Sequence, residues 1–183
     1  MIAPSKIIAA PKTSSAERAG NASPVSETGG SKILLVDDDP AIRRILLRLL
    51  TEEGYNVIPA ADGLKALDLA AVTRFDVVLL DLNMPGKSGW DTFEHLTAKD
   101  PLLPIIVITA KPNQLFPALA SGVGALLEKP LDFVRLLQTI HELIKEPAEM
   151  RLARLAGQPS PFSYIPPREE KTGKQEETQD EFV

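Results

Sequence analysis

Four apolar runs in this sequence end in residues that can do chemistry. Ile33-Leu34-Leu35-Val36 runs into Asp37-Asp38-Asp39, and Phe75 to Leu80 runs into Asp81. Ile105 to Ile108 is closed by Thr109-Ala110, and Ala125-Leu126-Leu127 by Glu128-Lys129-Pro130. If these runs are parallel strands of one sheet, their C-terminal ends share one edge, where open α/β sheets bind ligands. That edge gathers three carboxylates (Asp37, Asp38, Asp81), one hydroxyl (Thr109) and one amine (Lys129). Such a set suits phosphoryl transfer to a carboxylate, with Asp81 as the nucleophile. Three clustered carboxylates repel one another and call for a cation. An all-oxygen, partly hydrated site suits Mg2+. The ion bridges acceptor and phosphoryl oxygens and offsets their charge. Lys129 supplies a point charge to the phosphoryl group and Thr109 a hydrogen bond. Each residue alone has a plainer use: an acidic run caps a helix, and Asp81 or Lys-Pro makes a turn. Their joint position at four strand ends favours the chemistry.

The elements that position this edge are legible in the apolar pattern. Short, continuous apolar runs read as strands buried on both faces. Asp39 suits a helix N-cap and Pro40 the first helical position. Ile42, Ile45, Leu46, Leu49 and Leu50 follow at helical spacing with Arg43, Arg44 and Arg48 mostly facing out, and Gly54 fits the stop. Tyr55 to Ile58 is a short strand, and Asp62-Gly63 opens a second helix carrying Leu64, Leu67, Leu69 and Ala70. Trp90, Phe93 and Leu96 mark a third helix. Val134, Leu136, Leu137, Ile140, His141, Leu143 and Ile144 give a fifth an apolar face. Pro112 and Pro117 fall where a fourth is due, so that helix is short and starts near Phe116, or begins with an irregular turn. Strand and helix alternate five times, which predicts an α/β fold with a doubly wound, five-stranded parallel sheet. No GxGxxG follows the first strand and no GxxxxGK[ST] occurs, which disfavours dinucleotide binding and P-loop chemistry.

Composition narrows the classes further. The chain of 183 residues, 44% hydrophobic, suffices for one packed domain. No apolar run is long enough to cross a bilayer. With no cysteine, disulfides and thiol chemistry are excluded. A net charge of -5 argues against broad nucleic-acid binding, and two distant histidines argue against a His-based metal site. Residues 1–30, rich in Ala, Ser, Lys and Pro, read as a disordered arm. Residues 31–146 are the domain, 147–157 a helical extension, and 158–183 a disordered polar tail. Within that tail Phe162, Tyr164 and Ile165 are apolar islands, read as without a role, as loosely tacked to the domain, or as a docking motif.

From about Ser31 to Lys145 the chain resembles the receiver domain of two-component response regulators, the flavodoxin-like (βα)5 fold of the bacterial chemotaxis receiver. The family's acidic pair falls on Asp37-Asp38 and its phosphoacceptor on Asp81, within DLNMPGKSG. Its Thr-Ala falls on Thr109-Ala110, and its Lys-Pro, usually with a cis peptide, on Lys129-Pro130. The resemblance implies Mg2+ held by Asp38, Asp81 and the backbone carbonyl of Asn83, with Asp37 acting mostly through water. It implies a cytoplasmic receiver that takes a phosphoryl group from a histidine kinase or histidine phosphotransfer protein. The signal would pass by conformational change to an unknown downstream protein, with no membrane contact and no direct DNA binding. The tail is too short and polar to be an output domain, so the expectation is a stand-alone regulator, not an enzyme.

Two positions depart from the family. The residue three before the lysine, often Tyr or Phe, is Leu126, and the shortened fourth helix carries Pro117. Both lie on the face through which many members dimerise or signal. Two rival readings remain in view. A phosphatase of the haloacid dehalogenase type also uses Asp, Thr, Lys and paired carboxylates, but places the acidic pair last. Turnover of phosphate esters separates it. A phosphorylation-independent scaffold would keep the fold with a vestigial site, and beryllofluoride binding separates that.

Overall fold

A computed structural model describes residues 30–85 and 89–168. Its elements run β1 (Lys32–Val36), α1 (Pro40–Glu52), β2 (Asn56–Ala60), α2 (Gly63–Val72), β3 (Val77–Asp81) and α3 (Gly89–Lys99). The second half gives β4 (Ile105–Thr109), α4 (Leu115–Ser121), β5 (Ala125–Glu128), α5 (Phe133–Ile144), α6 (Ala148–Leu155) and β6 (Ser163–Ile165). The strands form one sheet in the order β2-β1-β3-β4-β5-β6, every neighbouring pair parallel. The expected doubly wound parallel sheet is therefore present, but with six strands where five were expected.

The strands are the continuous apolar runs because each must bury both faces. Alternate residues divide between two cores. Leu34, Val36, Val78, Leu80, Val107 and Leu126 pack on one side with Phe93 and Leu96 of α3. Ile33, Leu35, Val77, Leu79, Ile106 and Leu127 pack on the other with α1 and α5. Burying a Leu or Ile in full contributes about 1.5–3 kcal/mol relative to exposure. β3 and β4, central in the sheet, have all five residues buried. Pro59 sits in β2, where an edge position leaves its missing N–H without cost.

Helix starts follow the capping chemistry. Asp39 accepts from the Ala41 and Ile42 N–H groups at 2.7 and 3.4 Å. Asp62 caps α2 through Lys65 N–H, and Asp132 caps α5 through Val134 and Arg135 N–H. α4 has only seven residues and no side-chain cap. Pro117 lies in its first turn, where the absent N–H would lack an intrahelical partner anyway. It ends at Gly122, whose φ of 74° is left-handed.

Two expectations need correcting. Val134, counted in the apolar face of α5, is 75% exposed. The buried stripe is Leu136, Thr139, Ile140 and Leu143, a narrower set at helical spacing that admits a threonine. The second concerns the segment read as an unstructured tail, which contains β6. Pro161 and Pro166-Pro167 bracket only four residues, too few to show a period. The strand exists because the free edge of β5 offers it a ladder, and because Phe162 and Ile165 pack against the two cores. The chain reaches that edge through α6. There Arg154 and Arg151 pair with Glu146, and Arg151 also donates to the Leu143 carbonyl at 2.6 Å. Residues 169–183 of the tail, and 1–29 of the N-terminal arm, lie outside the described residues.

Candidate functional site

The C-terminal sheet edge collects the residues the sequence placed there. Asp37 directly follows β1, Asp81 is the last residue of β3, Thr109 the last of β4, and Lys129 directly follows β5. Asp37 and Asp81 are 1% and 2% exposed, so both carboxylates sit in the floor of the site. Asp38 is half-buried beside them. One carboxylate oxygen from each of Asp37, Asp38 and Asp81 lies within 4.8 Å of the others, close enough to share a metal ion.

Lys129 bridges two of the three. Its Nζ donates to Asp81 Oδ2 at 2.6 Å and to Asp37 Oδ2 at 2.9 Å. The remaining oxygens are tied to the backbone. Asp37 Oδ1 accepts from Asp39 N–H at 2.9 Å, and Asp81 Oδ1 from Asn83 N–H at 2.8 Å. Burial pushes the Asp37 carboxyl above its usual range, and the hydrogen bonds from Lys129 and Asp39 only partly offset this. Lys129 responds oppositely: burial disfavours its charge, but the hydrogen bonds to Asp81 and Asp37 outweigh burial and raise its pKa. The site thus holds two buried acidic groups on one ammonium, with a third carboxylate alongside. It is short of positive charge by construction.

A divalent cation fits that shortfall. The donor set is all oxygen, as hard cations require. Asn83, bonded to Asp81 through its N–H, also carries a buried side-chain oxygen with no hydrogen-bond partner among the described residues. Its backbone carbonyl is the further ligand expected from the sequence.

Thr109 is fully buried at the neighbouring strand end, and its hydroxyl accepts from Lys111 N–H at 3.0 Å. Its carbonyl accepts from the Lys129 N–H at 2.8 Å, which ties the hydroxyl-bearing and amine-bearing strand ends together. The Lys129-Pro130 peptide is cis. Arg43, read as facing outward, donates instead to the Asp37 carbonyl at 2.6 Å and holds the β1–α1 loop. Its place in the first turn of α1, just past the Asp39 cap, is the only sequence signal for this.

This fold and this edge define a phosphoacceptor-type signalling domain, and comparison with known proteins agrees. Residues 33–141 match the model of the response regulator receiver domain, and the chain belongs to that family. It is 39% identical over 116 residues to Response regulator MprA of Mycobacterium sp. (strain KMS), covering 62% of this chain and 50% of that one. The chain thus spans about half the length of the curated relatives it matches. Among solved structures it is similar to a CheY-like receiver domain protein from Methanospirillum hungatei JF-1, at 30% identity and TM-score 0.61. That match covers 65% of this chain and 96% of that one. It is also similar to response regulator TrrA of Thermotoga maritima in complex with Mg2+-BeF, at 32% identity and TM-score 0.58, covering 62% and 98%. No helix among the described residues is long and apolar enough to cross a membrane.

Proposed function

We propose that Asp81 accepts a phosphoryl group from a histidine kinase or histidine phosphotransfer protein, with Mg2+ held by Asp38, Asp81 and the Asn83 carbonyl. The observation that carries this reading is the Lys129 bridge between Asp81 and Asp37 on the floor of the acidic edge. In the step, an Asp81 carboxylate oxygen attacks phosphorus as the phosphorus–nitrogen bond of phosphohistidine breaks. The bond's electron pair returns to the imidazole. Charge spreads over the equatorial phosphoryl oxygens, so catalysis is positioning plus electrostatic stabilisation. Mg2+ supplies the charge that lets a carboxylate approach an anion. Lys129 leaves Asp81 for a phosphoryl oxygen, and Thr109 turns its hydroxyl toward another. Asp37 holds Lys129 in place and would act on a bound ion mostly through water.

A donor protein must seat beside Asp81. Next to Lys129, a groove of about 480 Å³ lined by Ile42, Ile45, Leu46, Pro130, Leu131 and Phe133 lies between the starts of α1 and α5. Ile45 and Phe133 stay exposed there, which supports docking of an apolar helix face. The phosphorylated domain then signals through its altered surface to a downstream protein.

The test is incubation with acetyl phosphate and Mg2+, followed by intact mass. One phosphoryl group should be added to the wild type and none to Asp81→Asn. Labelling retained in that variant would move the acceptor elsewhere and overturn the assignment.

A further inference from the structure

β6 pairs with β5 in the register Ala125↔Ser163, Leu126↔Tyr164 and Leu127↔Ile165. Registered residues of parallel strands share a face, so Tyr164 stands on the same side of the sheet as Leu126 and Glu128. Its hydroxyl is close enough to the Glu128 carboxylate to interact with it. Three residues past the strand, Arg168 N–H donates to the Pro130 carbonyl at 2.9 Å. The two contacts fall on the residues directly before and directly after Lys129. On the inner side Lys129 is held by its own N–H to the Thr109 carbonyl. The lysine-bearing turn is thus gripped by β4 from within and by the C-terminal segment from without.

We infer that residues 162–168 form a positioning element for Lys129, with Tyr164 and Arg168 bracing Glu128 and Pro130 on either side of it. The inference rests on the reading of Asp81 as phosphoacceptor. Lysine is a flexible, four-carbon tether, and its charge stabilises a developing anion only if its backbone anchor is fixed. Without β6, this anchor would lie on a free sheet edge. Phe162 and Ile165 fasten the brace to the two cores, so it is built into the domain. Neither contact touches the metal-binding carboxylates, so the brace acts on the phosphoryl side of the site and not on the metal side.

The experiment uses the full chain and two variants that each remove one donor. Tyr164→Phe deletes the hydroxyl and keeps the ring. Arg168→Pro deletes the N–H where Pro166-Pro167 already holds the chain extended. Each should slow phosphorylation by acetyl phosphate about three- to tenfold, the size of one modest hydrogen bond. Mg2+ affinity measured without phosphodonor should stay as in the wild type. Glu128→Gln keeps an acceptor for Tyr164 and should retain most of the rate, whereas Glu128→Ala should match Tyr164→Phe. In a Lys129→Ala background, Tyr164→Phe should bring no further loss, because the group it positions is gone. Unchanged rates in both brace variants would overturn the inference, as would an equal loss with and without Lys129. Either result leaves the phosphoacceptor reading standing if Asp81→Asn still abolishes labelling. Labelling that survives Asp81→Asn would bring down both.

Discussion

The Asp81 carboxylate and the Lys129 ammonium, 48 residues apart in the chain, meet at 2.6 Å on the floor of the acidic edge. Asp81 is 2% exposed, so the pair sits where solvent screens little. The same ammonium holds Asp37, which makes Lys129 the cation that both buried carboxylates face among the described residues. Without it, two carboxylates would share a desolvated floor. Folding and chemistry therefore draw on the same charge.

Lys129→Ala should destabilise the metal-free fold by about 3 kcal/mol, the low end for breaking a buried ion pair. Added Mg2+ should restore more stability to this variant than to the wild type, because the ion takes over the neutralising role. Denaturant unfolding of both proteins, with chelator and with saturating Mg2+, checks this. Equal Mg2+ stabilisation of the two would show that the ion and Lys129 do not answer the same charge.

The acidic run divides its labour. Asp38 contributes an oxygen to the cluster that can hold a metal, whereas Asp39 caps α1 through Ala41 and Ile42 N–H. Asp39→Ala should cost roughly 0.5–2 kcal/mol of stability, as lost caps do. Its Mg2+ affinity should change little, while Asp38→Ala should lose most of it. Calorimetric Mg2+ titration with unfolding midpoints separates the two. A larger metal loss for Asp39→Ala would exchange the roles.

α2 and α3 approach so closely that position 63 has no room for a side chain. A Cβ on Gly63 would fall 2.1 Å from Thr92 Oγ1 and 3.3 Å from its Cβ. Gly63→Ala should destabilise by about 1–3 kcal/mol, the range for overpacking. Adding Thr92→Ala removes the nearer atom and should recover part of that loss, so the two changes should not add. An additive double variant would place the strain elsewhere.

The chain has two tyrosines, and both should ionise late. Burial raises Tyr55, with Glu53 adding to the effect. Partial covering raises Tyr164, followed by its interaction with Glu128. For an acid whose folded pKa is raised, the folded state keeps a proton that the unfolded chain gives up. Their contribution to stability is thus intact below about pH 10 and declines as pH climbs through the raised values. Phenolate absorbance of the folded protein should lag behind that of the protein in denaturant, and Tyr164→Phe should remove half of its amplitude. Coincident titration curves would argue that Tyr164 is not engaged with Glu128.

The sequence made the site's floor legible because the strands carrying it are buried on both faces. β1, β3 and β4 must be continuous apolar runs, so Asp37, Asp81 and Thr109 stand out where the runs stop. Topology then brings those ends together without further information. β6 was illegible for the opposite reason. Its three residues obtain their ladder from β5 and their burial from cores built elsewhere, and the flanking prolines read as breaks. Arg43 was misjudged likewise: its outward place on α1 hides a reach back to the Asp37 carbonyl. The Lys129 turn was recognisable, but its brace was not, since Tyr164 and Arg168 act through tertiary contacts.

Leu126 marks the clearest departure from the receiver pattern, and its surroundings show why a leucine stands there. It is fully buried, and the neighbouring strand sets Tyr164 beside it in register. An aromatic ring at this position would need space along the outer edge of β5 to turn between solvent and core. Here β6 occupies that edge, so a larger ring must be accommodated within a packed interior. Leu126→Phe should therefore destabilise by about 1–3 kcal/mol through overpacking, and Leu126→Ala by about 2–5 kcal/mol through the cavity it leaves. Leucine would then be the size the site is built for. Urea unfolding of the full chain measures both. A Leu126→Phe variant as stable as the wild type would mean that the space an aromatic ring needs is still present beneath β6.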